Sequence, residues 1–292
     1  MIKRIIKRLL PAQLILLYHY AMAVLANLLY GFPSRKMVII GVTGTKGKTS
    51  TVNFIWSCLM AGGNKTGIIS TANIRINKQE RLNEYHMTMP GPFVLQKFMA
   101  RMVKDGCTHC IIETTSEGIQ QHRHVGIYYD IAVFTNLFPE HLQAHGGSFE
   151  AYQQMKGRMF TMLFSHKKHI NGKPVKKVII ANRDSEHADY FLSFPADKHI
   201  TFGVRNKANF FAHTIEETTL GVNFMIGEAA FSIGILGAFN VSNALPAIII
   251  AHYIGTDDNT IARGLANLTT IPGRMEKISG GQNFTVIVDY AH

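Results

Sequence analysis

The residues with the clearest chemical meaning lie in one short run, residues 41–51. Glycines in such a loop leave backbone N–H groups free to point at phosphate oxygens, and the start of a following helix adds positive potential. Lys48 can reach the terminal phosphates of a nucleotide, and Thr49 offers a hydroxyl to Mg²⁺. The strict G-x-x-x-x-G-K-[ST] pattern needs glycine at Val42, whereas the glycines here fall at positions 41, 44 and 47. The run therefore predicts a variant nucleotide triphosphate site, with a glycine-rich turn that binds no ligand as the alternative.

Carboxylate, histidine and lysine side chains follow two later apolar runs. Glu113 ends the apolar run 107–113, and His141 comes shortly after the run 131–135. The carboxyl ends of parallel strands form the edge of a sheet where ligands bind, so Glu113 is a candidate Mg²⁺ ligand and His141 a candidate metal ligand as neutral imidazole. A structural glutamate and an ordinary histidine are the alternatives. Lys156 lies in a helical pattern and carries no chemical signal by itself.

A doubly wound parallel sheet is the scaffold that would bring these strand ends together. From residue 36 the chain alternates between apolar strand patterns and amphipathic helix patterns, which is typical of such sheets. The predicted strands cover 37–42, 66–70, 107–113, 131–135 and 178–181, and the predicted helices 52–60, 92–104, 149–163, 244–253 and 260–268. Residues 73–89 are predicted as a hairpin or loop, and 198–235 as an antiparallel subsheet. We therefore expect a P-loop three-layer α/β fold with a small antiparallel β excursion.

Composition narrows the class of protein. A chain of 292 residues with 47% hydrophobic content can bury a full α/β core and retain material for a second unit. The formal charge of +11 is explained better by anionic phosphorylated substrates than by nucleic acid, because no basic patch is interleaved with aromatic residues. Cys107 and Cys110 form a lone C-x-x-C without a second pair, so buried strand thiols are favoured over metal or redox chemistry. Three cysteines fit a reducing cytoplasm.

The first 30 residues have a pattern of their own. Four basic side chains within residues 1–8 precede a mostly apolar stretch, 9–30, which four residues interrupt: Pro11, Gln13, His19 and Asn27. Three interpretations are open: a helix packed on the following domain, an amphipathic helix on the inner membrane face, or a signal or transmembrane segment. We expect residues 1–35 to form this basic and apolar helix.

Seven motifs, taken in order, resemble those of Mur ligases, and most closely the UDP-N-acetylmuramyl-tripeptide synthetase branch. They cover residues 41–49, 113–116, 135–137 with 140–142, 152–156, 237–243, 272–276 and 289–292. The resemblance spans residues 38–292, and it implies an ATP-binding domain at 36–272 and the start of a truncated C-terminal domain at 273–292. It implies an ATP-dependent amide ligase of peptidoglycan synthesis, which phosphorylates the carboxylate of a UDP-N-acetylmuramyl peptide and lets the amine of an amino acid attack the acyl phosphate. The implied cofactors are ATP and Mg²⁺, and the implied protein is a cytoplasmic monomer that binds no nucleic acid.

The resemblance also implies roles for particular residues. ATP binding falls on Gly44, Thr45, Lys46, Gly47, Lys48, Thr49, Ser50, Asn243, Arg274 and Asp289. One Mg²⁺ would be held by Thr49 and Glu113, and a second by His141 and Lys156, the lysine as a carbamate. Lys48, Lys156, His141 and Glu113 would be the catalytic residues. Substrate binding falls on Thr88, Thr115, Gln121 and Arg123.

Four positions depart from the family pattern in the substrate and metal loops: Met89, Glu117, Glu140 and Gln143. The family's N-terminal uridine-binding domain is also missing, and its third domain would end about 20 residues after it begins, so we expect a fragment or truncated product. Two alternative functions remain, a folylpolyglutamate-synthase-like or other amino-acid ligase and a catalytically silent nucleotide-binding module. The strings 272–276 and 289–292 argue against the folate enzyme.

Overall fold

An eleven-stranded sheet runs through the centre of the molecule, in a computed structural model that describes residues 11–85, 87–140, 142–278 and 280–290. The strands are β1 Val38–Thr43, β2 Thr66–Ile69, β3 Asn73–Ile76, β4 Gln79–Leu82, β5 His109–Glu113, β6 Ile131–Phe134, β7 His169–Ile170, β8 Lys173–Pro174, β9 Val178–Asn182, β10 Lys198–Gly203, β11 Phe210–Thr218, β12 Gly221–Ile226, β13 Ala229–Ile233, β14 Glu276–Ile278 and β15 Val286–Val288. The helices are α1 Ala12–Tyr30, α2 Lys48–Ala61, α3 Pro92–Lys104, α4 Ser116–Gln120, α5 Phe149–Phe164, α6 Ala188–Leu192, α7 Phe239–Tyr253 and α8 Asp258–Asn267, and short 3₁₀ turns cover Pro33–Lys36 and Leu142–His145.

The strand order of the large sheet is β13-β12-β11-β10-β9-β6-β1-β5-β2-β3-β4. Strands β2, β5, β1, β6, β9, β10 and β11 run parallel, and antiparallel hairpins extend the sheet at both ends. Strand β1 lies between β5 and β6, so the loop that follows β1 opens between the ends of two neighbouring parallel strands. That is the place where open α/β sheets bind ligands. The predicted parallel α/β sheet is confirmed.

Two apolar clusters cover the two faces of this sheet. One packs α2, α7 and α8 against it, with Phe54, Leu245 and Ile261 fully buried. The other packs α3 and α5 on the opposite face, with Met99 and Phe160 fully buried. The molecule therefore has the three layers that the alternating sequence pattern predicts, a sheet with a layer of helices on each face.

Two local predictions differ from the structure. The segment 198–235 was expected as an antiparallel subsheet at the edge of the main fold. Strands β11, β12 and β13 do pair antiparallel at that edge, but β10 pairs in parallel with β9 and β11 in parallel with β10, so the first part of the segment continues the parallel sheet. Helix α7 begins at Phe239 rather than at residue 244. Its polar first turn looks like a loop in the sequence, yet Asn240 donates from Nδ2 to the Leu236 oxygen at 2.8 Å and lies within the helix.

Helix α1 packs beside α3 through a small part of its surface. Ala23, Ala26 and Asn27 are buried, and Asn27 donates from Nδ2 to the Val125 oxygen at 2.9 Å. A Cβ atom on Gly126, whose φ is +77°, would overlap the side-chain amide of Asn27. Within the described part of the chain, α1 is the helix whose length and composition would allow it to cross a membrane. The packing of one face is observed, and membrane contact stays a prediction.

Candidate functional site

The glycine-rich loop between β1 and α2 is packed too closely for side chains at two positions. At Gly44, with φ +149°, a Cβ would overlap Thr135 Oγ1 and lie 2.9 Å from the Asn136 oxygen. At Gly47, with φ +80°, a Cβ would overlap Asn243 Oδ1. The residues after β6 and the first turns of α7 thus pack closely against the loop on two sides. This contact explains why the glycines fall at positions 44 and 47 of the variant motif.

The segment that follows β6 fixes the loop through hydrogen bonds. Asn136 accepts at Oδ1 from the Lys46 N–H at 2.8 Å and at its backbone oxygen from the Thr45 N–H at 2.9 Å. Thr135 donates from Oγ1 to the Lys46 oxygen at 2.8 Å. These bonds orient the loop before any ligand arrives. Sequence reasoning missed Asn136, although its position directly after a buried strand is the available signal.

A cleft of about 1280 Å³ opens at this carboxyl edge of the sheet. Its lining includes fourteen of the residues assigned above: Thr45, Lys46, Gly47, Lys48, Thr49, Ser50, Thr88, Glu113, Thr115, Arg123, Lys156, Asn243, Arg274 and Asp289. Gly44 and Gln121 do not line it, and His141 lies outside the described residues. The volume exceeds that of ordinary small-molecule pockets, so the cleft has room for a nucleotide and a second ligand.

Oxygen donors meet at the floor of the cleft. Thr49 donates from Oγ1 to Glu113 Oε2 at 3.0 Å, and the Thr71 N–H donates to the same carboxylate oxygen at 2.8 Å. Arg274 donates from Nη2 to Thr49 Oγ1 at 3.4 Å, although the two residues are 225 positions apart. A buried hydroxyl beside a buried carboxylate is a donor set that suits a hard divalent cation. The residues present therefore fit Mg²⁺.

Two lysines lie next to this floor, Lys156 buried and Lys48 half-buried. Lys48 donates from Nζ to the Thr45 oxygen at 2.8 Å, and Lys156, 2% exposed, donates from Nζ to the Gly44 oxygen at 2.9 Å. Burial lowers the pKa of Lys48, while the Glu113 carboxylate acts in the opposite direction. Burial also lowers the pKa of Lys156 well below its ordinary value, and the charge of Lys48 acts in the same direction. Lys156 is thus driven toward its neutral amine.

The Tyr152 ring packs against Lys156, and His145 in turn packs against Tyr152. The Lys156 Nζ lies 4.4 Å from the centre of the Tyr152 ring, and the Tyr152 hydroxyl lies 3.2 Å from Thr45 Oγ1. His145 is buried, with its ring 5.2 Å from the Tyr152 ring and Nε2 3.0 Å from Ser116 Oγ. These positioning residues were not assigned a role from the sequence. The spacing of four residues between Tyr152 and Lys156 on one helix is the signal that was available.

The side chains predicted to bind substrate lie along the other side of the cleft. Thr88 accepts at Oγ1 from Thr71 Oγ1 at 2.8 Å, and Thr115 caps α4 by accepting from the Gly118 N–H at 3.1 Å. Arg123 donates to the Met89 oxygen and, at 2.6 Å, to Gln121 Oε1. Gln121 therefore acts on the cleft through Arg123. Their substrate roles stay predictions.

Charged and polar groups also close the cleft at its rim. Glu140 forms an ion pair with Lys46 at 2.8 Å, so one of the positions that depart from the family pattern contacts the loop directly. Asp289 accepts at Oδ2 from the Met275 N–H at 2.8 Å, and Arg274 donates to the Tyr290 oxygen at 3.1 Å. The hairpin of β14 and β15 therefore brings Arg274 and Asp289 to the cleft from the far end of the described chain.

A glycine loop between a central parallel strand and a helix, with a lysine, a hydroxyl and a carboxylate at its mouth, defines a P-loop α/β domain. Residues 42–251 match the family model described as "Mur ligase middle domain". The chain therefore belongs to the Mur ligase middle-domain family, and the resemblance drawn from the seven motifs is confirmed.

Individual relatives agree with this membership. The chain is 37% identical over 276 residues to the UDP-N-acetylmuramoyl-L-alanyl-D-glutamate–2,6-diaminopimelate ligase of Geobacillus kaustophilus, covering 93% of this chain and 55% of the relative. It is 35% identical to the UDP-N-acetylmuramyl-tripeptide synthetase of Roseiflexus sp., with the same coverage of both chains. A solved structure of a UDP-N-acetylmuramoyl-L-alanyl-D-glutamate–2,6-diaminopimelate ligase superposes with a TM-score of 0.72 at 29% identity, covering 88% of this chain and 51% of that chain. The chain spans about half the length of the curated relatives it matches.

Proposed function

We propose that this chain is the nucleotide-binding part of an ATP-dependent ligase that joins an amino acid to a UDP-N-acetylmuramyl peptide in peptidoglycan precursor synthesis. The observation that carries the proposal is the meeting of Lys48, Lys156 and Arg274 in one cleft with the Thr49 hydroxyl and the Glu113 carboxylate. Basic side chains suit the phosphates of a nucleotide. The names of the relatives support the class of acceptor.

We assign the phosphates of ATP to the loop of residues 44–50, because backbone N–H groups at the start of α2 point out of the helix toward the cleft. Lys48 would hold the terminal phosphate, and Asn243 would contact adenine from α7. Arg274 and Asp289 would close over the nucleotide from the segment around β14 and β15. The assignment is supported by the place of all four side chains in the cleft lining.

The proposed reaction has two covalent steps. A carboxylate oxygen of the peptide attacks the terminal phosphorus of ATP, the bond from that phosphorus to the bridging oxygen breaks, and ADP leaves with the electron pair. The amine of the amino acid then attacks the acyl carbon and loses a proton, and inorganic phosphate leaves from the tetrahedral intermediate. Lys48 would stabilise the charge that develops on the transferred phosphoryl group.

Burial shifts Lys156 toward the neutral amine that carbamate formation requires. A neutral Nζ attacks carbon dioxide, a C–O electron pair moves onto oxygen, and the nitrogen loses a proton, which converts a cationic side chain into an anionic oxygen ligand. Mg²⁺, when bound, supplies charge neutralisation on the phosphates. We assign one ion to Thr49 and Glu113 and a second to the Lys156 carbamate and His141.

We assign the muramyl-peptide substrate to Thr88, Thr115 and Arg123, with Gln121 orienting the guanidinium. The proposed organisation is a helical segment 1–35, a nucleotide-binding domain 36–272 and the start of a further domain at 273–292. We place the protein in the cytoplasm as a monomer. Contact of residues 1–30 with the inner face of the membrane is a separate proposal that rests on α1.

Nucleotide binding by this chain is the direct test. Lys48→Ala should weaken ATP binding about 10- to 100-fold, because a hydrogen bond to a charged group contributes about 1.5–3 kcal/mol. Lys65→Ala is the matched control, since Lys65 is exposed and does not line the cleft. Titration calorimetry with ATP and Mg²⁺ measures both. Equal affinity of the two variants would refute the assignment of the phosphates to this loop.

The carbamate has a test that does not need turnover. In protein equilibrated with ¹³C-labelled bicarbonate, we expect a carbamate carbon resonance that disappears in Lys156→Ala and persists in Lys65→Ala. Persistence of that resonance in Lys156→Ala would assign it to another amine. Its absence from the unmodified protein, with ATP binding intact, would remove the second metal site while leaving the nucleotide site standing.

A further inference from the structure

Helix α1 carries its large apolar side chains on the face that points away from the domain. The exposed fractions of these side chains lie between 49% and 66%, and the residues are Leu14, Leu17, Tyr18, Leu25, Leu28 and Leu29. Their spacing of three, four and seven residues places them on one side of the helix. The opposite side packs on the protein through Ala23, Ala26 and Asn27. A helix of a soluble domain normally packs its large apolar side chains into the core, whereas α1 exposes them.

The positive charge of the protein is concentrated in the same part of the chain. Residues 1–79 contain 11 Lys and Arg and no Asp or Glu, whereas the remaining residues contain 19 of each sign. Four of the eleven lie within residues 1–8, directly before α1, and Arg35 and Lys36 follow it. Helix α1 has no charged side chain of its own. An apolar helix between basic segments is complementary to a lipid bilayer whose interior is apolar and whose headgroups are anionic.

The packing of α1 decides how it can meet such a surface. Ala23, Ala26 and Asn27 are buried against the domain, and Asn27 donates a hydrogen bond from Nδ2 to the Val125 oxygen at 2.9 Å. The part of α1 before these contacts, residues 12–22, is about 16 Å long at a rise of 1.5 Å per residue. The hydrocarbon core of a bilayer is about 30 Å thick. Residues 12–22 are therefore too few to cross a bilayer while α1 stays packed on the domain. A span that included the preceding residues would have to place the four basic side chains of residues 1–8 in hydrocarbon, which is costly.

A second copy of the chain is the competing occupant of the leucine face. Association of two copies through α1 would bring the basic segments of both copies together, and like charges at an interface are unfavourable. An anionic lipid surface removes that repulsion and turns it into attraction. The charge distribution therefore favours lipid over self-association.

We propose that α1 lies on the surface of a membrane that contains anionic lipids, with its leucine face toward the acyl chains and without crossing the bilayer. The proposal does not depend on the ligase function. Binding should have two separable components, an apolar one from the leucine face and an electrostatic one from the basic segments that is weakened by salt.

Co-sedimentation of the full chain with lipid vesicles tests both components. We expect binding to vesicles of phosphatidylcholine mixed with phosphatidylglycerol to be at least about tenfold tighter than binding to phosphatidylcholine alone, because each basic residue near an anionic surface contributes about 1 kcal/mol. Added salt should reduce that difference. Equal binding to both vesicles at low salt would overturn the electrostatic component.

Paired leucine substitutions test the apolar component. Leu17→Gln with Leu28→Gln should reduce vesicle binding about tenfold or more. Leu82→Gln with Leu220→Gln is the matched control, because those side chains are 61% and 83% exposed elsewhere on the surface, and it should bind as the unmodified chain does. Circular dichroism melting checks that both double variants are folded. If the α1 variant is not, a Leu17→Trp variant should instead show a blue-shifted emission on addition of anionic vesicles.

Three results would overturn the proposal. The first is unchanged vesicle binding by folded Leu17→Gln, Leu28→Gln protein. The second is sedimentation equilibrium showing a dimer that this variant converts to a monomer, which would identify a second copy as the occupant. The third is protein that only detergent releases from vesicles, since a surface-bound helix should be released by high salt and alkaline buffer together.

Discussion

Gly47 is the position where one added methyl group tests the packing of the nucleotide loop most directly. Its φ is +80°, and a Cβ there would overlap Asn243 Oδ1 and lie 3.0 Å from Asn243 Cγ. Gly63 supplies a matched position, because its φ is +79° and nothing lies within 4 Å of a Cβ built on it. Gly63→Ala therefore measures the cost of the backbone conformation alone. Gly47→Ala adds the collision with Asn243.

The two costs can be estimated separately. An L-residue in the left-handed region costs about 1–2 kcal/mol, which is the expected loss in the free energy of unfolding for Gly63→Ala. Relief of the collision would displace the Asn243 side chain from its 2.9 Å hydrogen bond to Asn240 Oδ1. Overpacking of this kind costs about 1–3 kcal/mol. We therefore expect Gly47→Ala to lower the free energy of unfolding by about 2–5 kcal/mol.

Urea unfolding of five proteins separates the two contributions: the unmodified chain, Gly63→Ala, Gly47→Ala, Asn243→Ala and the Gly47→Ala, Asn243→Ala double variant. In the Asn243→Ala background the collision is gone, so Gly47→Ala should cost only about as much as Gly63→Ala does. Equal losses for the two glycine variants in the unmodified background would refute the reasoning. A full-sized loss for Gly47→Ala in the Asn243→Ala background would refute it as well.

Two further predictions concern buried charge. Asp130→Asn should lower the free energy of unfolding by about 3–5 kcal/mol in urea titrations, because Lys168 at 2.5 Å and Lys177 at 2.9 Å would lose their buried carboxylate. Asp189→Asn, which removes the carboxylate of an exposed ion pair, should change it by less than about 0.5 kcal/mol. Similar losses in both variants would contradict the role of burial. Burial lowers the pKa of Lys156 in the folded chain below its ordinary value of 10.5, which the unfolded chain keeps. Between the folded and the unfolded pKa, the unfolded chain binds more protons, so the stability of the folded chain rises with pH. Lys156→Met should therefore be more stable than the unmodified chain near neutral pH, with a difference that shrinks toward pH 10.5, and a pH-independent difference would contradict the lowered pKa.

Local patterns predicted much of the fold. The helix at 92–104 is found with the bounds that its amphipathic spacing and the preceding Pro-Gly indicate, and the strand of β9 differs from its prediction by one residue. The glycine loop was placed correctly because its glycines, lysine and threonine are contiguous. The start of α7 was misplaced because Asn240 and Asn243 have low helix propensity, and their bonds to Leu236 and to each other are visible only in the folded chain.

Contacts between distant segments could not be read from the sequence. Arg274 reaches Thr49 across 225 positions, and no local pattern records that approach. Asn136 holds the loop through its side chain and backbone, but an isolated asparagine after a strand is common. The direction of α1 was equally hidden, because composition shows that a helix is apolar and not which face it presents to its neighbours. The orientation of Leu17 and Leu28 away from the domain emerged only from their exposure.

The joint between Asn27 and Gly126 has a consequence for how the molecule could move. The hydrogen bond from Asn27 Nδ2 to the Val125 oxygen, at 2.9 Å, and the fit of the amide against a residue without a side chain restrict rotation between α1 and the domain. The axis of α1 and the opening of the cleft therefore keep a constant orientation relative to each other. A protein held in this way along a surface would diffuse in two dimensions with one constant face toward the solution, and its ligands would always approach from the same side.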